Sequence, residues 1–465
     1  MSKSNTVVVF IAVATILTGR TTAGGGKYEK IIFGSPSASL EDFERFAMRA
    51  RRSGATHINI TSEDLPRARW QYDTPGDPYP AWVNTNAGLL KIAPPPELEK
   101  HIPAEYTEKI LGILRERCAV LRKLGLKAAF TTFESQMLPE MVFEEHPLWR
   151  GARVDHPMRS RVARFAPTVD NPEVQALYRA SIARLVRACP EIEILTARTN
   201  DSGTGLDWSG GLYSGRFGNT LYRHRTMDER ILDFFAALQA GAKDAGGSLE
   251  IDIYWTREAE PPRIAAHLGR GMAIEHLEGP DGRRFIASAG WLLDYEYPFY
   301  PVIGIPRAFS FLESLEEASA LGSPRLEEKF GDSANRDLYF CIFDRFLRLP
   351  AAAPFPSEED RLIFLRGIAE EEAGQKDAPA VLRMWRRLHD AERDAGLLNS
   401  GGFIFYLGGV QQRWLTRPFV PFPEKLTVEE KEYFRLFPLT SWYSGLSPRD
   451  LEWAFGGLTA TRLPS

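Results

Sequence analysis

The residues Ile192-Glu193-Ile194-Leu195-Thr196-Ala197-Arg198 run straight into Thr199-Asn200-Asp201-Ser202-Gly203-Thr204-Gly205, and the reading of this stretch decides the fold. The first half is a β-branched, apolar run of strand length. The second half is polar and glycine-rich, and it continues through Asp207, Trp208, Tyr213 and Gly215 before a helix begins at Thr226. A strand that hands over to a loop and then to a helix is the unit of an α/β protein, and such loops often carry the chemistry. Two readings of the loop stand side by side. Asn, Asp, Ser and Gly are common turn formers, so the segment reads as a polar turn. A carboxylate beside an amide, with glycines that admit close backbone approach and two aromatic rings, also suits sugar chemistry. In that reading Asp201 gives or takes a proton, Asn200 hydrogen-bonds a hydroxyl, and Trp208 or Tyr213 stacks on a pyranose face.

The same alternation extends in both directions. Upstream, Ile31 to Gly34 reads as a strand, and Ser39-Leu40-Glu41-Asp42 opens a helix with Phe43, Phe46 and Ala50 on its apolar face, ended by Gly54. His57 to Thr61 is the second strand. The loop Glu63 to Pro103 then holds Trp70, Tyr72, Asp73, Asp77, Tyr79 and Trp82; connections this long are uncommon unless functional. A helix from Glu105 to Leu124 stops at Gly125, and the third strand, Leu126 to Thr132, delivers Glu134 just past its end. After another long loop, Asp170-Asn171-Pro172 starts the helix that leads to the quoted strand. Downstream, Thr226-Met227-Asp228-Glu229 is a capping box whose helix ends at Gly246-Gly247. Leu249 to Tyr254, Gly271 to His276, Pro301 to Ile305 and Arg325 to Phe330 read as strands five to eight, and Asn335 to Leu347 as a closing helix.

Eight such alternations point to an α/β protein of the (β/α)8 TIM barrel type over residues 27–350. No Gly-x-Gly-x-x-Gly turn follows the first strand, which counts against a dinucleotide-binding sheet. Beyond the Pro-rich joint Pro350 to Pro356, helical patterns at Asp360 to Ala373 and Ala380 to Ala395, a short strand at Phe403 to Leu407 and a helix capped by Thr427 give a mainly helical C-terminal extension, residues 351–465.

Composition narrows the function. A chain of 465 residues with 44% hydrophobic content can bury one large core and a smaller one. Its formal net charge of −4 and the lack of a basic tail give no sign of a nucleic-acid partner. Residues 1–26 read as an export signal: Lys3 supplies the positive start, Val7 to Leu17 the apolar run, and Thr21-Thr22-Ala23 the small residues for cleavage. That run is too short for a bilayer, which takes about 20 residues, and no later segment qualifies, so a secreted or periplasmic protein is expected. Cys118, Cys189 and Cys341 form no Cys-x-x-Cys pattern, so buried packing is expected for them rather than a zinc site or a disulfide framework. Neither a cofactor nor a metal is expected.

In (β/α)8 barrels the chemistry gathers at the C-terminal ends of the strands. This chain would place there Trp70 with the aromatic loop, Glu134, Arg198 with Asn200 and Asp201, Asp252 to Trp255, Glu275 with Glu278, and Arg307. Several carboxylates among aromatics are what glycoside hydrolysis requires: one protonates the leaving oxygen and a second attacks or activates water. Asp201 is the candidate acid, with Glu275 or Glu278 as base or nucleophile. Asn200, Arg198, Trp208, Tyr213, Trp70, Glu134, Asp252, Trp255 and Arg307 are the candidate substrate-binding residues. Structural readings stand beside these: Glu275 as a buried ion-pair partner, Glu278 solvated at a turn, Asp252 bracing the barrel interior, Glu134 capping its loop. No Gly-x-Ser-x-Gly elbow appears, which counts against an esterase. Between His146 and Phe165, Arg150, Arg153, Arg159, Arg161 and Arg164 face Asp155 alone. Arginine forks grip carboxylates, so an acidic sugar is one substrate reading, and pairing with the chain's 61 acidic residues is the other.

On Asn200-Asp201-Ser202-Gly203 and the loop Trp208 to Gly215, the chain resembles the glycoside hydrolase barrels that include the β-hexosaminidases of family 20 and the α-glucuronidases of family 67. The hexosaminidase strand end carries Asp-Glu, with the Glu as acid, where this chain has Asn200-Asp201. The glucuronidases carry Ser-Glu-Gly, where this chain has Ser202-Gly203. The resemblance implies a barrel with a helical C-terminal region and an acid at Asp201, in a family separate from both. Two other classes fit the same residues. One is a carbohydrate-binding barrel without catalysis; the other is a uronate-active polysaccharide lyase using an Arg on the uronate and Tyr213 or a His as base.

Overall fold

The computed structural model describes residues 28–34, 39–61, 65–66, 88–154, 164–198, 204–206, 221–222, 224–254, 272–274, 287–288, 306–329, 335–349 and 355–399. In chain order its elements are β1 (Lys30–Gly34), α1 (Leu40–Arg52), β2 (His57–Asn59), α2 (Leu89–Ile92), α3 (Pro96–Glu99), α4 (Ala104–Leu124), β3 (Lys127–Phe133), α5 (Glu140–Glu145), β4 (Arg150–Arg153) and β5 (Phe165–Pro167). Then come α6 (Pro172–Ala188), β6 (Ile192–Arg198), α7 (Met227–Asp244), β7 (Glu250–Tyr254), β8 (Met272–Ile274), β9 (Ala287–Ser288), α8 (Ala308–Ala320), β10 (Arg325–Lys329), α9 (Arg336–Leu347) and α10 (Glu358–Asn399).

Local chemistry sets the helix ends. The Ser39 hydroxyl accepts the Asp42 N–H at the start of α1, and the Asn171 side chain accepts the Glu173 N–H at the start of α6, where Pro172 gives up no needed donor. Thr226 and Glu229 form a reciprocal capping box on α7. Gly125, at φ 67°, turns the chain out of α4 through the left-handed region that other residues enter at a cost.

Eight strands make one sheet in the order β8-β7-β6-β3-β2-β1-β10-β9, with every pair parallel. This is chain order wrapped round, with the first strand beside the last. The sheet is curled, as two ion pairs across it require. Lys30 on β1 reaches Glu250 on β7, and Arg325 on β10 reaches Asp252 on β7. β7 and β10 stand five strands apart, about 24 Å on a flat sheet, so only a sheet bent back on itself brings them together. Among the described residues no pairing joins β8 to β9. β4 and β5 pair antiparallel, apart from this sheet.

Two apolar layers follow from the curl. Ile32, Ala129 and Ile194, from β1, β3 and β6, form a small cluster of their own. The alternate residues, such as Phe33, Ile58, Phe130 and Leu195, belong to the large core that also takes in Phe43, Leu114, Leu185, Phe234 and Phe343 of the helices. Helices α6 and α7 approach so closely that a Cβ on Gly241 would lie 2.3 Å from the Arg179 carbonyl oxygen. α10 packs on α8 and α9, and Gly374, at φ 77°, breaks its helical path between the two helical segments read in the sequence.

One strand is new and two expectations change. On its side away from β1, β10 pairs with Ala287–Ser288, a two-residue segment too short to show any pattern; the expected strand Pro301 to Ile305 lies outside the described residues. Part of the presumed loop Glu63 to Pro103 folds as α2 and α3, because Leu89, Leu90, Ile92 and Leu98 are buried. The loop after β3 contains α5 and the β4–β5 pair. Residues 1–26 and 400–465 lie outside the described residues. No described helix is long and apolar enough to cross a membrane.

Candidate active site

The C-terminal ends of β3, β6 and β7 come into register: Phe133 pairs with Arg198, and Arg198 with Tyr254. Polar residues line the neighbouring strand ends. Asn59 Nδ2 donates to Thr131 Oγ1 at 2.6 Å, Asn59 Oδ1 accepts the Thr61 N–H at 2.9 Å, and Thr61 Oγ1 accepts the Thr131 N–H at 2.8 Å.

Just beyond β3 lies a buried, connected polar cluster. Glu134, 1% exposed, is surrounded by donors. Its Oε1 accepts the Leu89 N–H and the Thr132 hydroxyl, both at 2.7 Å, and its Oε2 accepts the Tyr178 hydroxyl at 2.8 Å. Lys91, fully buried, donates from Nζ to Gln136 Oε1 at 2.7 Å, and the same oxygen accepts the Gly88 N–H at 3.1 Å. Gly88 allows this approach, since a Cβ there would stand 2.9 Å from the Gln136 Cβ. Ser135 Oγ donates to the Pro167 carbonyl at 2.9 Å and lies 3.0 Å from the Tyr178 hydroxyl. The Glu134–Ser135 peptide is cis.

Burial governs the charges. It pushes the Glu134 carboxyl up against the pull of its hydrogen bonds and of Lys91, and it pushes the Lys91 amine well down against the pull of Glu134. The Tyr178 phenol is pushed well up, by burial and then by Glu134. Lys91 and Glu134 each favour the other's charged form, and burial opposes both.

This cluster grips the loop that decided the fold reading. Gln136 and Thr204 form an antiparallel bridge, and the Gly205 N–H donates to the Ser135 carbonyl at 2.9 Å. Thr204 and Leu206 are buried. The motif is thus held on both sides, at Arg198 by the sheet and at Thr204 and Gly205 by the loop after β3.

Of the sequence-predicted site residues, Asp201, Asn200, Glu275, Glu278, Trp208, Tyr213, Trp70 and Trp255 lie outside the described residues. Arg198 ends β6. Glu134 and Asp252 are buried and engaged by protein partners: Asp252 lies inside the curl against Arg325, and burial raises its carboxyl to about 7 while Arg325 opposes the shift. Arg307 precedes α8, where its N–H donates to the Tyr339 hydroxyl at 3.2 Å. From the arginine-rich loop, Arg150 is paired with Glu140 and lies over the rings of Phe143 and Phe165, at 5.2 and 4.6 Å.

Sequence reasoning missed Lys91, Tyr178 and Gln136. Lys91 had a signal, a single cation inside the apolar run Leu89-Leu90-Lys91-Ile92, and Tyr178 stands four residues after Val174 on the buried face of α6. Gln136 had none. The opposite end of the curl is charged as well. Lys127 Nζ meets Glu193 at 2.5 Å, His57 Nε2 stands 3.6 Å from the same carboxylate, and Arg325 also pairs with Glu327. These residues lie at or near the N-terminal ends of their strands, the end that serves stability in barrels of this kind.

No protein-family profile matches the chain, and no curated protein matches it in sequence. Solved structures do align with it. A family GH138 enzyme targeting pectin rhamnogalacturonan II aligns with 77% of this chain and 44% of its own, at 10% identity and a TM-score of 0.42. An α-galactosidase from Lactobacillus brevis aligns with 70% of this chain and 40% of its own, at 10% identity and a TM-score of 0.37. A GH20 catalytic module of the pneumococcal exo-β-D-N-acetylglucosaminidase aligns with 78% of this chain and 98% of its own, at 10% identity and a TM-score of 0.35. The chain thus spans less than half the length of the first two. These three neighbours are glycoside hydrolases.

Proposed function

We propose that the chain is an exported glycoside hydrolase built on a closed (β/α)8 barrel, acting on an oligo- or polysaccharide by carboxylate acid/base catalysis. The observation that supports the reading is the anchoring of the residues that flank the Asn200-Asp201 motif, Arg198 before it and Thr204 and Gly205 after it. A proton donor works only if it is held still at hydrogen-bond range of the leaving oxygen, and here Arg198 is fixed by two neighbouring strands while Thr204 and Gly205 are fixed by Gln136 and Ser135. A polar turn without a task needs no buried network beneath its anchor, with Glu134 bonded to Leu89, Thr132 and Tyr178 and Lys91 to Gln136. In this reading Asp201 is the general acid, Glu275 or Glu278 the second carboxylate, and Asn200, Arg198 and Arg307 hold the sugar between Trp70, Trp208, Tyr213 and Trp255. Glu134 acts one step back, positioning the loop.

The test is incubation of the purified protein with neutral, amino and uronic-acid oligosaccharides, following products by mass. Cleavage with uptake of one water supports the hydrolase, and restriction to uronic acids adds the arginine-lined pocket. An unsaturated, ultraviolet-absorbing product means a lyase instead, and tight binding without any product means a carbohydrate-binding barrel.

A further inference from the structure

The inner face of the curl changes character between two adjacent levels. Ala129 of β3, in register with Asn59 of β2 and Ile194 of β6, belongs to the inner apolar layer and is 2% exposed. Thr131, two residues on and therefore on the same face, is half-buried, while Phe130 and Thr132 beside it are fully buried. Thr61, just past β2, is half-buried as well. Solvent thus reaches down the inner face to Thr131 and stops at Ala129. β3 ends at Phe133, so this floor lies about 7 Å below the strand end. The floor is polar and its orientation is fixed. Asn59 Oδ1 accepts both the N–H and the hydroxyl of Thr61, so the amide cannot turn over, and its Nδ2 faces Thr131, donating to the hydroxyl oxygen at 2.6 Å. Thr61 Oγ1 accepts the Thr131 N–H at 2.8 Å. Two donors are left over: the Thr131 hydroxyl proton and the second Asn59 amide proton have no acceptor among the described residues. Gly34, in register with Asn59 on β1, adds no side chain beside it.

We infer that Asn59 and Thr131 form the floor of a saccharide subsite, donating hydrogen bonds to the hydroxyl or ring oxygens of one sugar. The inference takes its ligand from the glycosidase reading, and neither residue was among those the sequence suggested. A donor sunk beside an apolar layer costs free energy unless an acceptor meets it. Water can meet it, and a sugar oxygen that reproduces the same hydrogen bond can displace that water. Both donors are neutral, so the floor recognises hydroxyl-rich rings whether or not the sugar carries a charge elsewhere. Thr61 acts one step back, as the residue that holds the Asn59 amide the right way round.

The full chain is titrated with galactose, N-acetylglucosamine and glucuronic acid by isothermal calorimetry, and the KM is measured for any oligosaccharide it cleaves. Thr131→Val keeps the β-branched shape and removes the hydroxyl, and Thr131→Ser puts the hydroxyl back. The expected result is a Kd or KM raised about 3- to 10-fold in Thr131→Val and returned close to the wild-type value in Thr131→Ser, with urea midpoints showing that all three fold. Equal Kd or KM in wild type and Thr131→Val overturns the subsite and leaves the glycosidase reading standing. A loss that Thr131→Ser does not restore is one of shape rather than of the hydroxyl, and also overturns it. A wild type that binds none of the three sugars and cleaves no oligosaccharide overturns both. Where Thr131→Val does not fold, Asn59→Asp carries the same comparison, since it keeps the acceptor for Thr61 and removes the amide donor.

Discussion

Glu134 shows how much a single side chain carries here. It satisfies Leu89, Thr132 and Tyr178 and balances Lys91 in a place that water does not enter. Glu134→Ala leaves three donors without their acceptor and the buried Lys91 amine without the nearby carboxylate that supports its charge, and is expected to cost about 3–5 kcal/mol in urea unfolding. Adding Lys91→Met to Glu134→Gln removes both charges together, so the double variant should lose clearly less than the sum of the singles. His57 gives a second prediction, in pH. Burial pushes its imidazole down to about 4, reinforced by Lys30 and Arg325 and opposed by Glu193 and Glu250. The unfolded chain takes up a proton near 6.5 that the fold refuses, so the contribution is whole above that pH and is lost as pH falls toward 4. Up to about 3 kcal/mol is involved, and a melting-temperature series should show a slope between pH 6.5 and 4 that flattens in His57→Gln.

Among elements, the α6–α7 contact is the least forgiving. A Cβ at Gly241 collides with the Arg179 backbone carbonyl, which cannot swing aside as a side chain does. Gly241→Ala should therefore lower stability by about 1–3 kcal/mol. Gly112, inside α4 with nothing within 4 Å, should behave in the opposite way, Gly112→Ala raising stability by about 0.5–1 kcal/mol through helix propensity. Urea midpoints of the two variants check both signs. The elements also show what the sequence could reveal. β1, β3, β6 and β7 were legible because their apolar runs are bounded by polar turns, and α1, α6 and α7 because their caps are encoded in side chains. β9 was not, since two residues carry no period, and α2 was not, since a four-residue helix is defined by its tertiary partners rather than by its own pattern. The Asn200-Asp201 motif was read from the local sequence, and its residues lie outside the described ones. The anchors that flank it could not be read that way, because Leu89 meets Glu134 across 45 residues and Glu134 meets Tyr178 across 44.

Along the axis of the curl, interlocked charges gather at the N-terminal strand ends, and Arg198, Thr204 and the Glu134 cluster at the C-terminal ends. Under the proposed function, Asp201→Asn should leave the melting temperature within about 1 °C of wild type, since Asn is close in size to Asp, and cut turnover on any substrate found by roughly 10²–10⁴-fold. Full turnover in a normally folded variant would remove Asp201 from the role of acid. The circular strand order also sets a schedule for the nascent chain. β1 is synthesised first, yet one of its two neighbours is β10, and Lys30 aligns with Arg325 only after nearly 300 more residues have been made. At ribosomal speeds of about 5–20 residues per second that is a wait on the order of tens of seconds. Throughout it the edge of β1 that faces β10 has its backbone hydrogen bonds unmet, open to any other strand that passes, so a strand made early depends for its safety during synthesis on one made much later.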